Sequence, residues 1–217
     1  MIVTHLGHSC LLVESGGARI LIDPGTFSDT TGVEGVDAVC VTHQHADHID
    51  VEGFAALAER NPDASVYAEP VTAQQLRERG HDARDTVAGE PVEVGRAVVT
   101  PVGAQHAVIH EYLERIDNLG LVVRAPGEPT LFHPGDALDA EPGEVDHLAV
   151  PVNAPWCAVK ETIAFVRRIA PTQGVIPIHD ALLKPPARAM YLKHIGDFGL
   201  DGGVQVTDLA KAGPQQL

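Results

Sequence analysis

The sequence predicts an α/β protein in which two sheets pack face to face with helices on their outer sides. Runs of strand character interleaved with segments of helical spacing, in each half of the chain, are the first observation behind it. Composition is the second. Hydrophobic residues make up 44% and aromatics only 4%, so a core of Val, Leu, Ile and Ala is available to 217 residues, a length that fits one domain spanning 1–217. The third is placement, since His and Asp recur at the ends of expected strands, where loops converge and sheets hold them rigid.

Residues 2–6 and 9–14 read as strands, and Gly16-Gly17 marks a hairpin turn into a third at 18–22, stopped by Asp23-Pro24-Gly25. The β-branched run 36–41 is too short for a helix and reads as a buried strand. Asp50 is placed to cap a helix in which Val51, Phe54, Leu57 and Ala58 recur at helical spacing up to Asn61-Pro62. A strand at 65–68 precedes a helix at 71–79, which ends at Gly80. Residues 92–94 and 97–102 form a hairpin around Gly95, and 119–124 pairs with 130–132 across Pro126-Gly127-Glu128-Pro129. A strand at 148–152 opens into the loop Asn153-Ala154-Pro155-Trp156. Val159, Ile163, Val166 and Ile169 then mark one face of a helix that halts before Pro171. A strand at 174–178, a helix over about 186–195, a strand at 204–207 and a polar tail complete the chain.

The formal charge of -15, from 15 Lys+Arg against 30 Asp+Glu, is broken by no basic run. Nucleic acid and anionic membrane are therefore disfavoured, because both require a cationic face, and a small-molecule substrate is the expected partner. Cys10, Cys40 and Cys157 are odd in number, and two lie in expected strands, where Cys is usually a small buried apolar residue. No disulfide framework is expected, which fits a cytoplasmic location. The first residues show neither a basic segment nor a long apolar one, and no stretch approaches about 18 apolar residues, so neither secretion nor a membrane span is expected.

The densest chemistry is Thr42-His43-Gln44-His45-Ala46-Asp47-His48, where the strand 36–41 gives way to a loop. In an extended chain residues two apart point to the same side, so His43 and His45 can grip one cation while Asp47 and His48, past a turn, face a second. Imidazole with carboxylate suits zinc, with manganese or iron as alternatives. At this chain's own His and Asp frequencies the spacing H-x-H-x-D-H arises by chance in roughly three sequences per thousand, which weighs against three solvated loop histidines. Three more strand ends carry His106, Asp136 and His179, each weak singly and together able to complete the half-site. Asp23 is either a turn former or a carboxylate that orients a ligand histidine. His8 lies in a turn and lines the site if the hairpin reaches it. His5, His81, His133, His147 and His194 read as ordinary packing or solvated histidines.

The motifs L-G-H-S at Leu6 to Ser9, I-L-I-D-P at Ile20 to Pro24, T-H-Q-H-A-D-H-I at Thr42 to Ile49, Q-H-A-V-I-H at Gln105 to His110, H-P-G-D at His133 to Asp136 and I-P-I-H-D at Ile176 to Asp180 occur in this order. With them the chain resembles the metallo-β-lactamase superfamily, in the branch of small metal-dependent hydrolases similar to ascorbate-6-phosphate lactonases. The resemblance implies a four-layer αββα sandwich. It also implies that His43, His45 and His106 hold one metal, that Asp47, His48 and His179 hold the other, and that Asp136 bridges them. The chain departs from the glyoxalase-II pattern, with Ala104-Gln105-His106 in place of a T-P-G-H element. The stretch between Asp136 and His179 is also too short for the extra domain that superfamily nucleases carry there.

The expected activity is therefore that of a dinuclear enzyme, two Zn²⁺ first among the candidate ions, in which a metal-bridging hydroxide cleaves a lactone, ester or amide. Asp47 is the carboxylate placed to orient that nucleophile or relay its proton, while His110, His8 or bound water supplies the acid. Trp156 either walls the mouth or packs elsewhere, and Lys160 or Arg115 are the cations that would meet a phosphate. Phosphodiester hydrolysis is the alternative with the same ions. An iron-dependent oxidoreductase or a non-catalytic metal-binding module are those of another class. The resemblance is also consistent with a homo-oligomer.

Overall fold

A computed structural model of the chain describes residues 1–217. Strands β1 (Ile2–Gly7), β2 (Cys10–Ser15) and β3 (Ala18–Ile22) form an antiparallel meander, with Gly16 and Gly17 supplying the positive φ of the tight second turn. β4 (Ala38–Val41), β5 (Ser65–Ala68) and β6 (Ala83–Asp85) add to it in parallel, with helices α1 (Phe54–Arg60) and α2 (Pro70–Glu78) in the two crossovers after β4. The last strand, β13 (Gln215–Gln216), returns to pair with β1, so the first sheet runs β13-β1-β2-β3-β4-β5-β6.

The second sheet begins with an antiparallel set, β7 (Val92–Val94), β8 (Ala97–Val102), β9 (Gly120–Arg124) and β10 (Leu131–His133). It finishes with β11 (His147–Pro151) and β12 (Gly174–Ile178), both parallel to β10, in the order β12-β11-β10-β9-β8-β7. Helix α3 (Val159–Ile169) links the last two strands, and α4 (Pro185–Phe198) follows β12.

Alternation along the strands builds three apolar layers. Val13, Ile20, Ile22 and Cys40 of the first sheet meet Leu121, Val123, Leu131 and Ile176 of the second in the central layer. Their neighbours Leu12, Leu21, Val39 and Val41 point the other way, onto Phe54, Leu57 and Leu76. On the far side Val122, Phe132, Leu148 and Val175 pack on Phe165, Val166 and Ile195. Strands β4, β11 and β12 are buried on both faces, which is why they read as short continuous apolar runs. The result is the αββα layering that the sequence implied.

The differences are local and have physical reasons. Asp50 caps a turn, its Oδ1 accepting from Gly53 N at 2.9 Å, and α1 starts only at Phe54. The second helix begins earlier than 71, because the Glu69 carboxylate accepts from Val71 N and Thr72 N at 2.8 Å each and Pro70 fits its first turn. α4 extends to Phe198, beyond the expected 195. The expected strand at 204–207 makes only a single bridge, Val206 to Val175. β6 and β13 escaped the sequence reading: one is Ala-Arg-Asp, the other Gln-Gln, and backbone pairing alone makes them strands. Cys10, Cys40 and Cys157 are free and buried. No helix is long and apolar enough to cross a membrane.

Candidate metal centre

The site forms where strands of both sheets end at the same edge of the sandwich. β3 and β4 are parallel neighbours, so Asp23, just past β3, lies beside Thr42, just past β4. Asp23 is fully buried and accepts from Thr42 N (2.8 Å), Thr42 Oγ1 (2.7 Å) and His48 Nδ1 (2.7 Å). It thus orients a candidate ligand as well as closing a turn.

The loop after β4 is held from below by Gly25. A Cβ built there would stand 1.9 Å from Asp47 O and 2.5 Å from His48 N. Gly25→Ala is therefore expected to displace the 45–48 turn, lowering stability by about 1–3 kcal/mol in a denaturant titration and weakening metal uptake with it.

The first sheet presents His43, His45, Asp47 and His48, and the second presents His106, Asp136 and His179. Ligand atoms of His43, His45, His106 and Asp136 all lie within 4.8 Å of one another, and so do those of His8, Asp47, His48 and His179. Asp136 stands between the groups: Oδ1 is 3.0 Å from His48 Nε2, and Oδ2 is 3.3 Å from His106 Nε2 and 3.2 Å from His179 Nε2. His43 Nε2 and His45 Nδ1 are 3.1 Å apart, close to the edge of about 3.4 Å for a tetrahedron with bonds near 2.1 Å.

Far-side partners fix which nitrogen each ring turns to the centre. His106 Nδ1–H donates to Ala107 O and His179 Nδ1–H to Asn153 O, each at 2.6 Å. The Thr42 hydroxyl gives its proton to Asp23 and so accepts from His43 Nδ1 at 3.0 Å. His43, His48, His106 and His179 therefore all turn Nε2 toward the Asp136 carboxylate. His106 Nε2, His179 Nε2 and Asp136 Oδ1 are buried without a hydrogen-bond partner. Lone pairs facing a carboxylate at these distances repel unless a cation, proton or metal, lies among them, so the donor set fits divalent ions.

His8 has the opposite polarity. Ala181 N donates to its Nδ1 (3.3 Å), so Nε2 carries the hydrogen and donates to Asp47 Oδ2 (3.1 Å). Although it groups with the ligands by distance, His8 braces Asp47. His8, Asp23 and His179 all adopt left-handed backbone conformations, with φ of 53°, 49° and 58°.

The electrostatics follow from this crowding. Burial opposes charge on Asp136, yet His48 and His179 outweigh it and hold the carboxyl well below the usual range. Burial likewise opposes charge on the two histidines, but Asp136 prevails, leaving His48 well above the ordinary value and His179 at about 9. His43 is held well below by burial and by His48, and His45 is lowered by burial and by His106. Asp47 stays depressed because bonds from His179 and His8 outweigh its burial.

Trp156 donates its indole N–H to Asp136 Oδ2 at 3.1 Å, with its ring 5.7 Å from His106 and 6.0 Å from His179. It walls the centre. His110 does not join it: the ring is exposed, and its Nδ1 accepts from Tyr112 N, which corrects its place among the site-lining residues. Lys160 is exposed and pairs with Glu161, while Arg115 bonds His106 O, Gln105 and Asp139. Sequence reasoning missed Asn118, whose Oδ1 accepts from Asp136 N (2.9 Å) and whose Nδ2 donates to Pro134 O (2.9 Å). Nothing around Asn118 in the sequence marks it. Thr42 and Ser9 also contact ligand rings and lay inside quoted motifs without a role.

Comparison with known proteins identifies the family. The sequence model of the Beta-lactamase superfamily domain matches residues 2–179. Protein Rv0786c of Mycobacterium tuberculosis is 45% identical over 193 residues, covering 88% of this chain and 89% of the relative. A UPF0173 metal-dependent hydrolase of Azorhizobium caulinodans is 31% identical over 204 residues, covering 82% and 85%. Among solved structures, the isothiocyanate hydrolase from Delia radicum gut bacteria superposes with a TM-score of 0.76 at 18% identity, covering 100% of this chain and 99% of that one, a likeness of fold. The chain therefore belongs to the β-lactamase superfamily and, within it, to the UPF0173 metal-dependent hydrolases.

Proposed function

We propose that the protein is a dinuclear hydrolase that adds water across the carbonyl–oxygen or carbonyl–nitrogen bond of a lactone, ester or amide. His43, His45 and His106 hold one ion, Asp47, His48 and His179 the other, and Asp136 lies between. The observation that carries the reading is that His106 Nε2 and His179 Nε2, one from each group of ligands, are buried without a hydrogen-bond partner 3.3 and 3.2 Å from Oδ2 of the Asp136 carboxylate that stands between the groups. Zinc matches this mixture of imidazole and carboxylate best, with manganese or iron as alternatives.

A divalent pair supplies Lewis acidity and a water made nucleophilic near neutral pH. The chain supplies the geometry and a carboxylate that orients the water. Asp47 is 26% exposed, so it meets both the centre and the solvent side. Its depressed pKa keeps it ionised, and the His8 Nε2–H fixes one oxygen, leaving the carboxylate to accept a hydrogen bond from the attacking water and orient it. Trp156 steadies Asp136 and closes one side of the approach to the centre.

The test combines metal analysis with a hydrolysis screen. Two zinc or manganese ions per chain, with turnover of a lactone, ester or amide, is the expected result. Turnover confined to phosphodiesters would move the substrate class. One iron with thiol-dependent oxygen uptake would indicate an oxidoreductase, and full loading without turnover a binding role. His45→Ala is expected to weaken one ion by more than about 100-fold and to remove activity with it. Unaltered turnover would refute the site.

A further inference from the structure

We propose that the substrate carries an apolar chain or ring beside the scissile bond, seated on an apolar rim around the metal centre, in place of a phosphate group. The proposal rests on the hydrolase reading above and narrows its substrate class.

Large exposed apolar side chains gather in the loops that carry the site. Phe27 (48% exposed) follows β3, Val108, Ile109 and Leu113 (57%) lie between β8 and β9, and Leu182 (58%) stands three residues beyond His179. These positions reach both halves of the centre. The Phe27 ring meets His8 edge-on at 5.2 Å, and Leu182 follows Ala181, whose N–H bonds the same histidine. On the other side Val108, Ile109 and Leu113 share a narrow pocket with His45 and His106. The other large exposed apolar side chains, apart from Tyr112 in the same loop, are Val71, Val87, Met190 and Phe198, lone residues on helices or in a turn. An apolar rim continuous with a few fixed polar groups is the usual make-up of a site for a small amphipathic ligand.

The cations bonded to site-bearing segments are already committed. Arg115 is bound to His106 O, Gln105 and Asp139, and Arg188 to Asp180 and Asp208 at 2.6 to 2.7 Å. Lys184, exposed at the start of α4 and without an ion pair, is the one cation of that loop left for an anionic group. With a formal charge of -15 on the chain, a lone exposed lysine is weak provision for a phosphate dianion.

The experiment measures kcat/KM of the metal-reconstituted protein for p-nitrophenyl esters from acetate to decanoate, each hydrolysed by one water to acid and phenol. The expected result is a rise of up to about fourfold per methylene that the rim buries. The double variant Ile109→Asn/Leu113→Asn is expected to lower the decanoate-to-acetate ratio at least about tenfold. A flat or falling series overturns the proposal and leaves the hydrolase reading intact. So does preference for a phosphorylated ester that Lys184→Ala abolishes. A second arm needs no turnover: binding of acetohydroxamate and octanohydroxamate is followed by the fluorescence of Trp156, the single tryptophan, which lies against His106 and His179. Tighter binding of the longer chain without ester turnover supports the rim and sinks the ester reading alone, while equal or absent binding sinks the rim. A solution dimer that Leu113→Asp dissociates assigns the rim to a second copy of this chain and also overturns the proposal.

Discussion

Asp136→Asn is expected to leave a folded protein that holds at most one weakly bound ion and turns over substrate at less than about a thousandth of the parent rate. The asparagine keeps the shape and loses the charge. Asp136 N still donates to Asn118, so the turn that presents the side chain survives. The new amide can donate to His106 Nε2, which in the parent faces a carboxylate without a hydrogen-bond partner. Loss of the carboxylate also removes the attraction that holds His48 and His179 protonated, so the metal-free variant should melt below the metal-free parent at neutral pH while still unfolding cooperatively, which separates loss of function from loss of fold. Metal analysis after dialysis, read beside the melt, checks both halves, and retention of two ions would remove Asp136 from its place between them.

The parent's metal affinity should also depend on pH in a definite direction. Without metal, Asp136 holds His48 and His179 protonated, the latter to about pH 9, and an arriving ion must displace those protons. Affinity then rises with pH toward 9 by about tenfold per unit for each proton released, and falls in acid.

Asp23→Ala is the second large effect, and here stability moves first. Three donors lose their acceptor at a fully buried position: Thr42 N, Thr42 Oγ1 and His48 Nδ1. The unsatisfied amide and the broken pair with His48 together cost about 3–5 kcal/mol. Alanine is also strained at the φ of 49° that the position requires. Affinity for the ion at His48 should fall about 10–100-fold, since that ring loses the partner fixing its tautomer. Asp23→Asn is the control: it restores volume and one acceptor, but its amide can oppose the His48 Nδ1–H. Denaturant unfolding should therefore recover in part while metal affinity does not. An Asp23→Ala protein with unchanged midpoint and metal content would show that the carboxylate only closes a turn.

Much of the architecture was legible because short apolar strands between turn residues advertise themselves. Residues 18–22, 65–68, 92–94, 97–102 and 174–178 coincide with β3, β5, β7, β8 and β12, each with Gly, Pro or a polar residue at or next to its ends. β6 and β13 were invisible since Ala-Arg-Asp and Gln-Gln carry no apolar period, and a partner strand decides their conformation. At the site, the spacing of residues 43–48 pointed to metal before any fold was known. The second-sheet residues needed tertiary structure, because a single His or Asp at a strand end reads the same whether it faces an ion or solvent. His8 and His110 illustrate the limit. Both sit in quoted motifs, yet one is buried against Asp47 by a backbone contact from Ala181, 173 residues away, and the other faces solvent. No local pattern distinguishes them.

The division of the candidate ligands between the sheets has a consequence for the order of assembly. His43, His45, Asp47 and His48 follow strands of the first sheet and are synthesised before His106, Asp136 and His179 of the second, and in the proposed arrangement each ion needs both sets. A nascent first sheet offers only an incomplete chelate, so tight loading waits until the second has docked. In that arrangement cation capture would follow the meeting of the two halves, and metal content would report which chains have completed the fold.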